Sequence, residues 1–399
     1  MRRILKDVSI RSAAFLMAYY ITNSVFQSYM ALYYQDRGFD DTKIGLINAV
    51  IAMVSVFAMQ FWGSMGDRVK SRNRLLFFMS IASACLMLTV KFVPGYVFLV
   101  IVIGLFSVFY TSLQPMGDSI ILSSLAKENR PFGPVRMAGG LSFAVVAMLF
   151  GNFLDMIGNN VTVVYSVALL CCVVAGAAMY LPPVSGAQKK GEKRGMFELF
   201  KSREFVILLS FMIPLQITLG YFYAFFSPHF KSLPGANNSL LGWCYFISAC
   251  SEVPFLLNSD RLFKKHGAGR LMCLSALTLG IRWLLVATTH NVYVAMASQL
   301  LHFWGFIVIT VMTSKYVQAT VPEELKASGQ LLLSVFGFGV ARVIGYFGGG
   351  VLSDLISRQH VFYIGAAVCF VCFLIFTPYY LKKAPLNGEN KPENFKKNS

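Results

Sequence analysis

The chain reads GSMGDRVKSRNR at residues 63–74, a short charged stretch between two long apolar runs. Each of those runs is long enough to cross the hydrocarbon core of a bilayer, which takes ~20 predominantly apolar residues. One acid followed by four basic residues is typical of a cytoplasmic turn in a membrane protein, because cytoplasmic loops are enriched in Lys and Arg. The stretch therefore predicts that the chain is folded in lipid.

The composition extends this prediction to the whole chain. Of 399 residues, 56% are hydrophobic and only 13% are charged, which excludes an ordinary soluble domain of this size. Spans this long and continuously apolar predict α-helices and not β-barrel strands, because a helix bonds all of its own backbone groups. We therefore predict an all-α integral membrane protein. Its twelve transmembrane helices are centred near residues 22, 53, 83, 110, 145, 170, 215, 248, 278, 303, 338 and 370.

The net charge of +17 follows the predicted topology. With the N-terminus inside, the seven cytoplasmic segments hold 27 of the 35 Lys and Arg residues. This distribution predicts a multi-pass protein of the inner membrane with both termini in the cytoplasm. A nucleic-acid-binding protein would gather its basic residues on one soluble face. The expected partner is therefore the bilayer and not a nucleic acid.

The polar interruptions divide the chain into two halves. We predict an N-terminal six-helix bundle over residues 1–181, a cytoplasmic linker over 182–203, a C-terminal six-helix bundle over 204–383 and a cytoplasmic tail over 384–399. The second half repeats the acidic-then-basic turn as DRLFKKHGAGR at residues 260–270. A six-plus-six layout predicts two bundles around a midplane binding site.

Five of the ionisable residues inside the predicted spans stand out, because a charge at the bilayer centre costs at least ~2.5 kcal/mol. A chain retains such groups where they face a protein interior or a watery cavity and have partners. Divided between the two halves, they predict the lining of a solute and proton pathway. The five are Asp118, Arg136, Glu252, Arg282 and His302.

In the N-terminal half, Arg136 opens a helical face that continues through Gly139, Gly140 and Phe143 at helical spacing. That face offers the paired N–H donors of a guanidinium, a bare stretch of backbone at the two glycines and an aromatic ring. It suits a ligand with oxygens at one end and an apolar ring or sugar face at the other. The alternative is a purely structural ion pair between Arg136 and Asp118.

In the C-terminal half, Glu252 and His302 are groups that can change protonation state, whereas Arg282 is a fixed counter-charge. Arg342 is a weaker case, which either pairs with an acid or lines water. Asp155, at the end of a span, is predicted to be solvated.

These residues, in this order, resemble the oligosaccharide:proton symporter and phenylpropionate permease branch of the major facilitator superfamily. In the N-terminal half, the spacing from Asp118 to Arg136 and the run RMAGGLSF at residues 136–143 are similar to the sugar site of lactose permeases. There the acid and arginine hold sugar hydroxyls, and an aromatic residue at the position of Phe143 stacks on the ring. The C-terminal resemblance rests on Ser251-Glu252-Val253, Ile281-Arg282-Trp283, Leu301-His302-Phe303 and Ser314-Lys315-Tyr316.

The resemblance implies a role for each C-terminal group. Glu252 would couple solute to proton, Arg282 would neutralise the site, and His302 would bind solute and relay hydrogen bonds. Gly305 stands where lactose permeases carry a second glutamate, which the phenylpropionate branch also lacks. Glu252 is therefore the first choice for the proton carrier and Asp118 the second.

The same superfamily uses the turn at residues 63–74 to latch neighbouring helices in one state of its cycle. This resemblance implies that Asp67 and Arg68 are latch residues, although a basic turn that only sets topology explains the arginines equally well.

The predicted function is secondary active transport, a proton-coupled uptake of an aromatic or other small organic acid by alternating access. The alternative is a sugar, oligosaccharide or nucleoside symporter. Other readings are a non-transporting solute sensor and a drug efflux carrier. The residues provide neither a nucleophile–base pair nor metal-ligand spacing, so we predict no enzyme activity, no cofactor and no bound metal.

Overall fold

The computed structural model describes residues 7–184, 196–322 and 325–382, and all of its regular structure in these ranges is helical. Most of the predicted linker's basic run, at 185–195, and the predicted tail at 384–399 lie outside the described residues.

The helices of the first half begin soon after residue 7 and follow one another with short connections. Their bounds are α1 (Val8–Asp36), α2 (Asp41–Arg68), α3 (Arg72–Thr89), α4 (Tyr96–Tyr110), α5 (Leu113–Lys127), α6 (Gly133–Ile157) and α7 (Val161–Tyr180).

The second half opens with a short 3₁₀ turn, Met196–Lys201, and contains two π-helical stretches, Trp304–Val308 and Ser334–Val340. Another 3₁₀ turn, Ser298–Leu301, joins two of its helices. The α-helices are α8 (Arg203–Lys231), α9 (Asn238–His266), α10 (Ala268–Thr288), α11 (Val292–Ala297), α12 (Ile309–Thr320), α13 (Lys326–Leu333), α14 (Ala341–Ile356) and α15 (Arg358–Lys382).

A helical segment covers each of the twelve predicted centres, and within the described residues ten segments are long and apolar enough to cross a membrane. The two exceptions are α1 and α3. The first carries many Tyr, Ser, Thr, Asn and Gln residues, and the second has only 18 residues and begins with Arg72 and Arg74. Twelve crossings therefore stay a prediction for these two positions.

The described residues form two compact units. Unit 1 contains the residues up to 184 together with Ala236–Phe246, and unit 2 contains 196–235 and the residues from Ile247 onward. In unit 1, α1 packs against α6 and α7, α3 packs along α7, and α2 packs on α4. In unit 2, α10 packs along α15, and α8 packs against α14 and α15.

The start of α9 is held within unit 1 by Asp155. Its carboxylate accepts the backbone N–H groups of Asn238 (3.0 Å) and Ser239 (2.7 Å). An acid is favoured at a helix N-terminus, where backbone donors are unsatisfied and the helix dipole is positive. Asp155 is exposed, as its predicted solvation requires, but it also caps α9, a role that was missed because the sequence did not show which helix begins beside it.

Many large apolar side chains of the long helices are exposed. Phe57 is 70% exposed, Leu355 73% and Met156 86%. Such surfaces are disfavoured in water but are suited to contact with lipid tails. The buried sides of the helices carry the other apolar residues, both aliphatic and aromatic, together with the polar groups described below.

One end of unit 1 is cross-linked by arginines. Arg11 donates to the carbonyl of Tyr180, and the side chain of Asn73 donates to the carbonyl of Leu181 at 3.0 Å. Arg130 lies 2.6 Å from the carboxylate of Asp7, and its hydrogen bond lowers the pKa of that carboxyl below the usual value.

Candidate functional site

The polar cluster of unit 1 is organised around Tyr20 on α1. The Arg136 guanidinium lies 4.5 Å from the centroid of the Tyr20 ring, a cation–π contact. The Tyr20 hydroxyl accepts a hydrogen bond of 2.9 Å from the Gln114 amide, which also lies 3.5 Å from Asp118. Asp118 and Arg136 are thus linked through Tyr20 and Gln114, two residues that the sequence did not single out.

Close packing of α1 against α5 and α6 holds this cluster in place. A Cβ added to Gly117 would lie 2.1 Å from the Phe15 ring, so α1 crosses α5 directly beside Asp118. A Cβ on Gly139 would lie 2.6 Å from the Tyr20 ring. The backbone patch that we predicted to be bare at Gly139 is therefore filled by Tyr20, whereas the space at Gly140 is open.

This difference supports a paired prediction. Gly139→Ala should displace the Tyr20 ring and weaken solute binding about tenfold, since overpacking at a tight contact costs ~1–3 kcal/mol. Gly140→Ala, one residue away on the same helix, should leave the solute dissociation constant within about twofold of wild type. Isothermal titration of the two purified variants beside wild type measures the effect. Equal affinities for the two variants would mean that Tyr20 does not support the binding site.

Phe143 is half-buried on α6, and its carbonyl accepts a hydrogen bond of 2.9 Å from Ser24 of α1. Its backbone is therefore tied to the same helix that carries Tyr20.

At the predicted latch, the Asp67 carboxylate lies 2.6 Å from the Arg72 guanidinium, and Arg68 is exposed. Arg72 also donates to the carbonyl of Gly66 (3.0 Å) and to the Ser119 hydroxyl of α5 (3.1 Å). Arg72, which sequence reasoning did not select, thus joins the end of α2 to α5. In unit 2 the repeated turn is tied in a similar way, because Lys315 of α12 lies 2.5 Å from Asp260.

The polar network of unit 2 runs from Glu252 to Gln299. Glu252 Oε1 lies 3.3 Å from His302 Nε2, and His302 Nδ1 lies 2.9 Å from Arg282 Nη1. A second nitrogen of Arg282 donates to Gln299 Oε1 at 2.5 Å. The structure therefore brings together the three residues that the sequence selected in this half and adds Gln299, three residues before His302 in the chain.

The direction of these hydrogen bonds follows from the arginine. A guanidinium has only N–H donors, so His302 must accept at Nδ1 and carry its proton at Nε2. His302 then donates from Nε2 to Glu252. The network is therefore a directed chain from the fixed cation to the carboxylate, in which a change in Glu252 protonation acts on His302.

Aromatic rings shield Arg282 from the surrounding helices. It is fully buried, and its guanidinium lies 4.2 Å from the Phe222 ring centroid and 5.0 Å from that of Trp283. The Trp283 indole donates to the Thr218 hydroxyl at 3.1 Å, which fixes α10 against α8. On the other side, His302 stacks on Phe306 with ring centroids 5.6 Å apart.

Arg342 has a different partner from either predicted alternative. Its Nε and Nη2 atoms donate to Gln216 Oε1 at 3.2 and 3.1 Å, and its guanidinium lies 4.7 Å from the Tyr223 ring centroid. Phe222 and Tyr223, neighbours on α8, therefore each contact one buried guanidinium of unit 2.

Gly305, where the resemblance to lactose permeases would place a second glutamate, packs closely against α10. A Cβ there would lie 2.5 Å from the Cδ1 atom of Leu279 on α10, so a longer side chain would require this leucine to move. Gly305 belongs to a π-helical stretch that starts two residues after His302, and such stretches are frequent at functional sites.

Two features of the sequence would have revealed part of what was missed. Gln114 and Gln216 lie within apolar spans, where an amide also needs partners. Tyr20 gave no comparable signal, because α1 contains several tyrosines at irregular spacing.

The fold and this set of buried polar groups are those of a polytopic membrane transporter. The chain belongs to the MFS_1 like family, whose sequence model matches residues 9–364. It is thus a multi-pass membrane transporter of small solutes of the major facilitator type. The family and its relatives are transporters and not enzymes.

Relatives of different stated function cover nearly the whole chain. It is 24% identical over 371 residues to a maltose permease of Geobacillus stearothermophilus, covering 91% of this chain and 92% of the relative. It is 22% identical over 373 residues to a probable 3-phenylpropionic acid transporter of Escherichia coli (strain K12), covering 90% and 93%. A crystal structure of the nucleoside transporter NupG matches with a TM-score of 0.82 and 17% identity, covering 95% of this chain and 100% of that one, which establishes the fold.

Proposed function

We propose that the protein takes up a small organic acid, aromatic or otherwise, together with a proton by alternating access of its two six-helix halves, 1–181 and 204–383. It acts as a monomer in the inner membrane with both termini in the cytoplasm. The solute is bound by Asp118, Arg136, Phe143, Arg282 and His302. Glu252 carries the proton together with His302, and Asp118 is the second choice for this role. Asp67 and Arg68 belong to a latch that also includes Arg72.

The observation that carries proton coupling is the directed chain from Arg282 through His302 to Glu252. Glu252 is partly exposed, with 21% of its side chain accessible, whereas His302 is 8% exposed. A carboxylate at the accessible end of a buried hydrogen-bonded chain can take up a proton and pass the change inward. Loss of its charge would weaken its attraction for the buried arginine charge and leave that charge available to a solute anion.

The charge balance supports an organic acid as the solute. The interiors of the predicted spans contain three guanidiniums, those of Arg136, Arg282 and Arg342, and only two carboxyl groups, those of Asp118 and Glu252. Protonation of either carboxyl adds to the excess of positive charge. Binding of a solute anion would offset both the original excess and the charge added by protonation. Guanidiniums also match carboxylates geometrically through paired donors.

A sugar or nucleoside is the second candidate, and one observation favours it. Asp118 Oδ1 is buried without a hydrogen-bond partner among the described residues. An acceptor of this kind suits a solute hydroxyl, and the maltose permease relative is compatible with it.

Uptake by proteoliposomes separates the candidates. Radiolabelled 3-phenylpropionate, maltose and uridine would be tested with and without an inwardly directed proton gradient. We expect accumulation of 3-phenylpropionate only with the gradient. Accumulation of maltose or uridine alone would replace the proposed solute class, and accumulation that ignores the gradient would remove proton coupling.

Glu252→Gln should abolish the increase in uptake that follows acidification of the outside, because glutamine keeps the hydrogen bond to His302 but cannot release a proton. Counterflow exchange, which needs no net proton movement, should persist. Asp118→Asn is the comparison variant. If it removes the pH dependence while Glu252→Gln preserves it, the proton carrier is Asp118.

A further inference from the structure

The Arg342 cluster of unit 2 repeats the Arg136 cluster of unit 1. In each half a tyrosine of the first long helix lies under the guanidinium of an arginine. Tyr20 of α1 lies under Arg136 of α6, and Tyr223 of α8 lies under Arg342 of α14. The two ring-to-guanidinium distances are 4.5 and 4.7 Å. Each tyrosine also contacts the helical segment that precedes its arginine along the chain. The Tyr20 hydroxyl accepts a hydrogen bond from Gln114, and the ring centroids of Tyr223 and His302 lie 6.3 Å apart.

The glycine that allows this approach is repeated as well. Gly139 follows Arg136 by three residues, and Gly345 follows Arg342 by three. An added Cβ at Gly345 would lie 2.2 Å from the carbonyl oxygen of Ile217 on α8, as one at Gly139 would meet Tyr20 on α1. In both units the glycine of the Arg-x-x-Gly pattern therefore lets the helix that carries the arginine pack closely against the first helix of the unit.

The unit 2 cluster has hydrogen-bond donors to spare. Gln216 is fully buried, and both of its hydrogen bonds with Arg342 use its oxygen. Its Nε2 group is buried without a partner among the described residues. Arg342 uses Nε and Nη2 in these bonds, so its Nη1 donors are not part of them. A buried amide donor is normally satisfied, and the chemistry that would satisfy this one is an acceptor oxygen.

We propose that Arg342, Gln216 and Tyr223 form a second solute-binding half-site, which takes the carboxylate of an organic anion. Arg342 and Tyr223 are the unit 2 counterparts of Arg136 and Tyr20, whereas Gln216 lies on α8 and bonds to the arginine, unlike Gln114 on α5, which bonds to Tyr20. The π-helical stretch Ser334–Val340 ends two residues before Arg342, and such stretches often mark functional sites. This inference rests on the proposed function, because the anion is the solute proposed there.

Isothermal titration of the purified full chain with 3-phenylpropionate tests the half-site, with maltose and uridine as further probes. Arg342→Gln should raise the dissociation constant for 3-phenylpropionate roughly tenfold to a hundredfold, the range expected for a hydrogen bond to a charged group. Arg261→Gln, at an exposed arginine of α9, is the matched control and should leave it unchanged. Arg342→Lys keeps the positive charge but lacks the paired N–H donors of the guanidinium, and it replaces the first variant if that variant does not fold. Its affinity for 3-phenylpropionate should fall less than that of Arg342→Gln.

The outcomes separate the two proposals. If Arg342→Gln binds 3-phenylpropionate as tightly as wild type, the half-site is overturned and the proposed function stands. If wild type binds maltose or uridine but no acid, the organic-acid function and the carboxylate specificity are both overturned. If Arg342→Gln then binds maltose or uridine roughly tenfold more weakly than wild type, Arg342 is supported as a contact for the hydroxyl oxygens of that solute. An unchanged affinity would remove the half-site altogether. Absence of binding to all three probes overturns both proposals.

Discussion

Replacing Arg282 with alanine is expected to abolish solute uptake and to lower the free energy of unfolding by about 3–5 kcal/mol. The side chain is fully buried, and it donates to both His302 and Gln299. Its removal leaves His302 Nδ1 without its donor and Gln299 Oε1 with only the donor from Ser248 among the described residues, and it takes away the counter-charge of Glu252. It also removes the cation from the faces of Phe222 and Trp283. Thermal unfolding in detergent and uptake by proteoliposomes measure the two effects.

Arg270→Ala is the matched control for this experiment. Arg270 lies on the same helix, α10, and is exposed, so its loss should change the free energy of unfolding by no more than about 0.5 kcal/mol. Arg282→Lys should retain part of the stability, because it keeps the charge, but should lose uptake, because one ammonium cannot hold His302 and Gln299 in the same geometry. An Arg282→Ala variant as stable and as active as wild type would show that the buried network has neither role.

Gly345→Ala is expected to lower the free energy of unfolding by about 3 kcal/mol, at the upper end of the usual range for overpacking. Its added Cβ would lie 2.2 Å from the Ile217 carbonyl oxygen and 3.1 Å from Gly220 Cα. Both are backbone atoms, so no side-chain rotation relieves the contact, and α14 must move away from α8. That movement also separates Arg342 from Tyr223, and solute binding should weaken with it.

Gly348→Ala provides the control on the same helix. Nothing lies within 4 Å of a Cβ at Gly348, so this variant should be neutral or gain up to ~1 kcal/mol from the better helix propensity of alanine. Thermal unfolding of the two variants side by side checks the difference. Similar melting temperatures for Gly345→Ala and Gly348→Ala would show that the α8–α14 contact is not closely packed in the folded protein.

The sequence located the helical segments well, because hydropathy is a local property. A helical segment covers every predicted centre, and the two that miss the criteria for a span, α1 and α3, are the segments with the most polar composition or the shortest length. The same local reasoning selected Glu252, Arg282 and His302, since an ionisable group in an apolar run needs a partner whichever helix supplies it. These three residues do lie in one network.

Prediction was poorer where the partner had to be named. Asp155 holds the start of α9, and the partner of Asp67 is Arg72. Arg342 binds Gln216. For Asp155 and Arg342 the partner comes from a packing contact that no periodicity in the sequence encodes, whereas Arg72 lies only five residues from Asp67 in the same turn.

Hydropathy and residue type along the chain were enough to predict the solvent of the fold, the positions of its helices and the identities of the buried charged groups. These follow from the free energy of placing each side chain in hydrocarbon, which depends on the side chain and its immediate neighbours. Which groups meet depends on the packing of the helices: Tyr20 and Tyr223 lie under their arginines, and His302 lies between Arg282 and Glu252. The reason is geometric, because close approach at glycines such as Gly139 and Gly345 fixes which helix faces touch, and a hydrogen bond changes with displacements of a few tenths of an ångström.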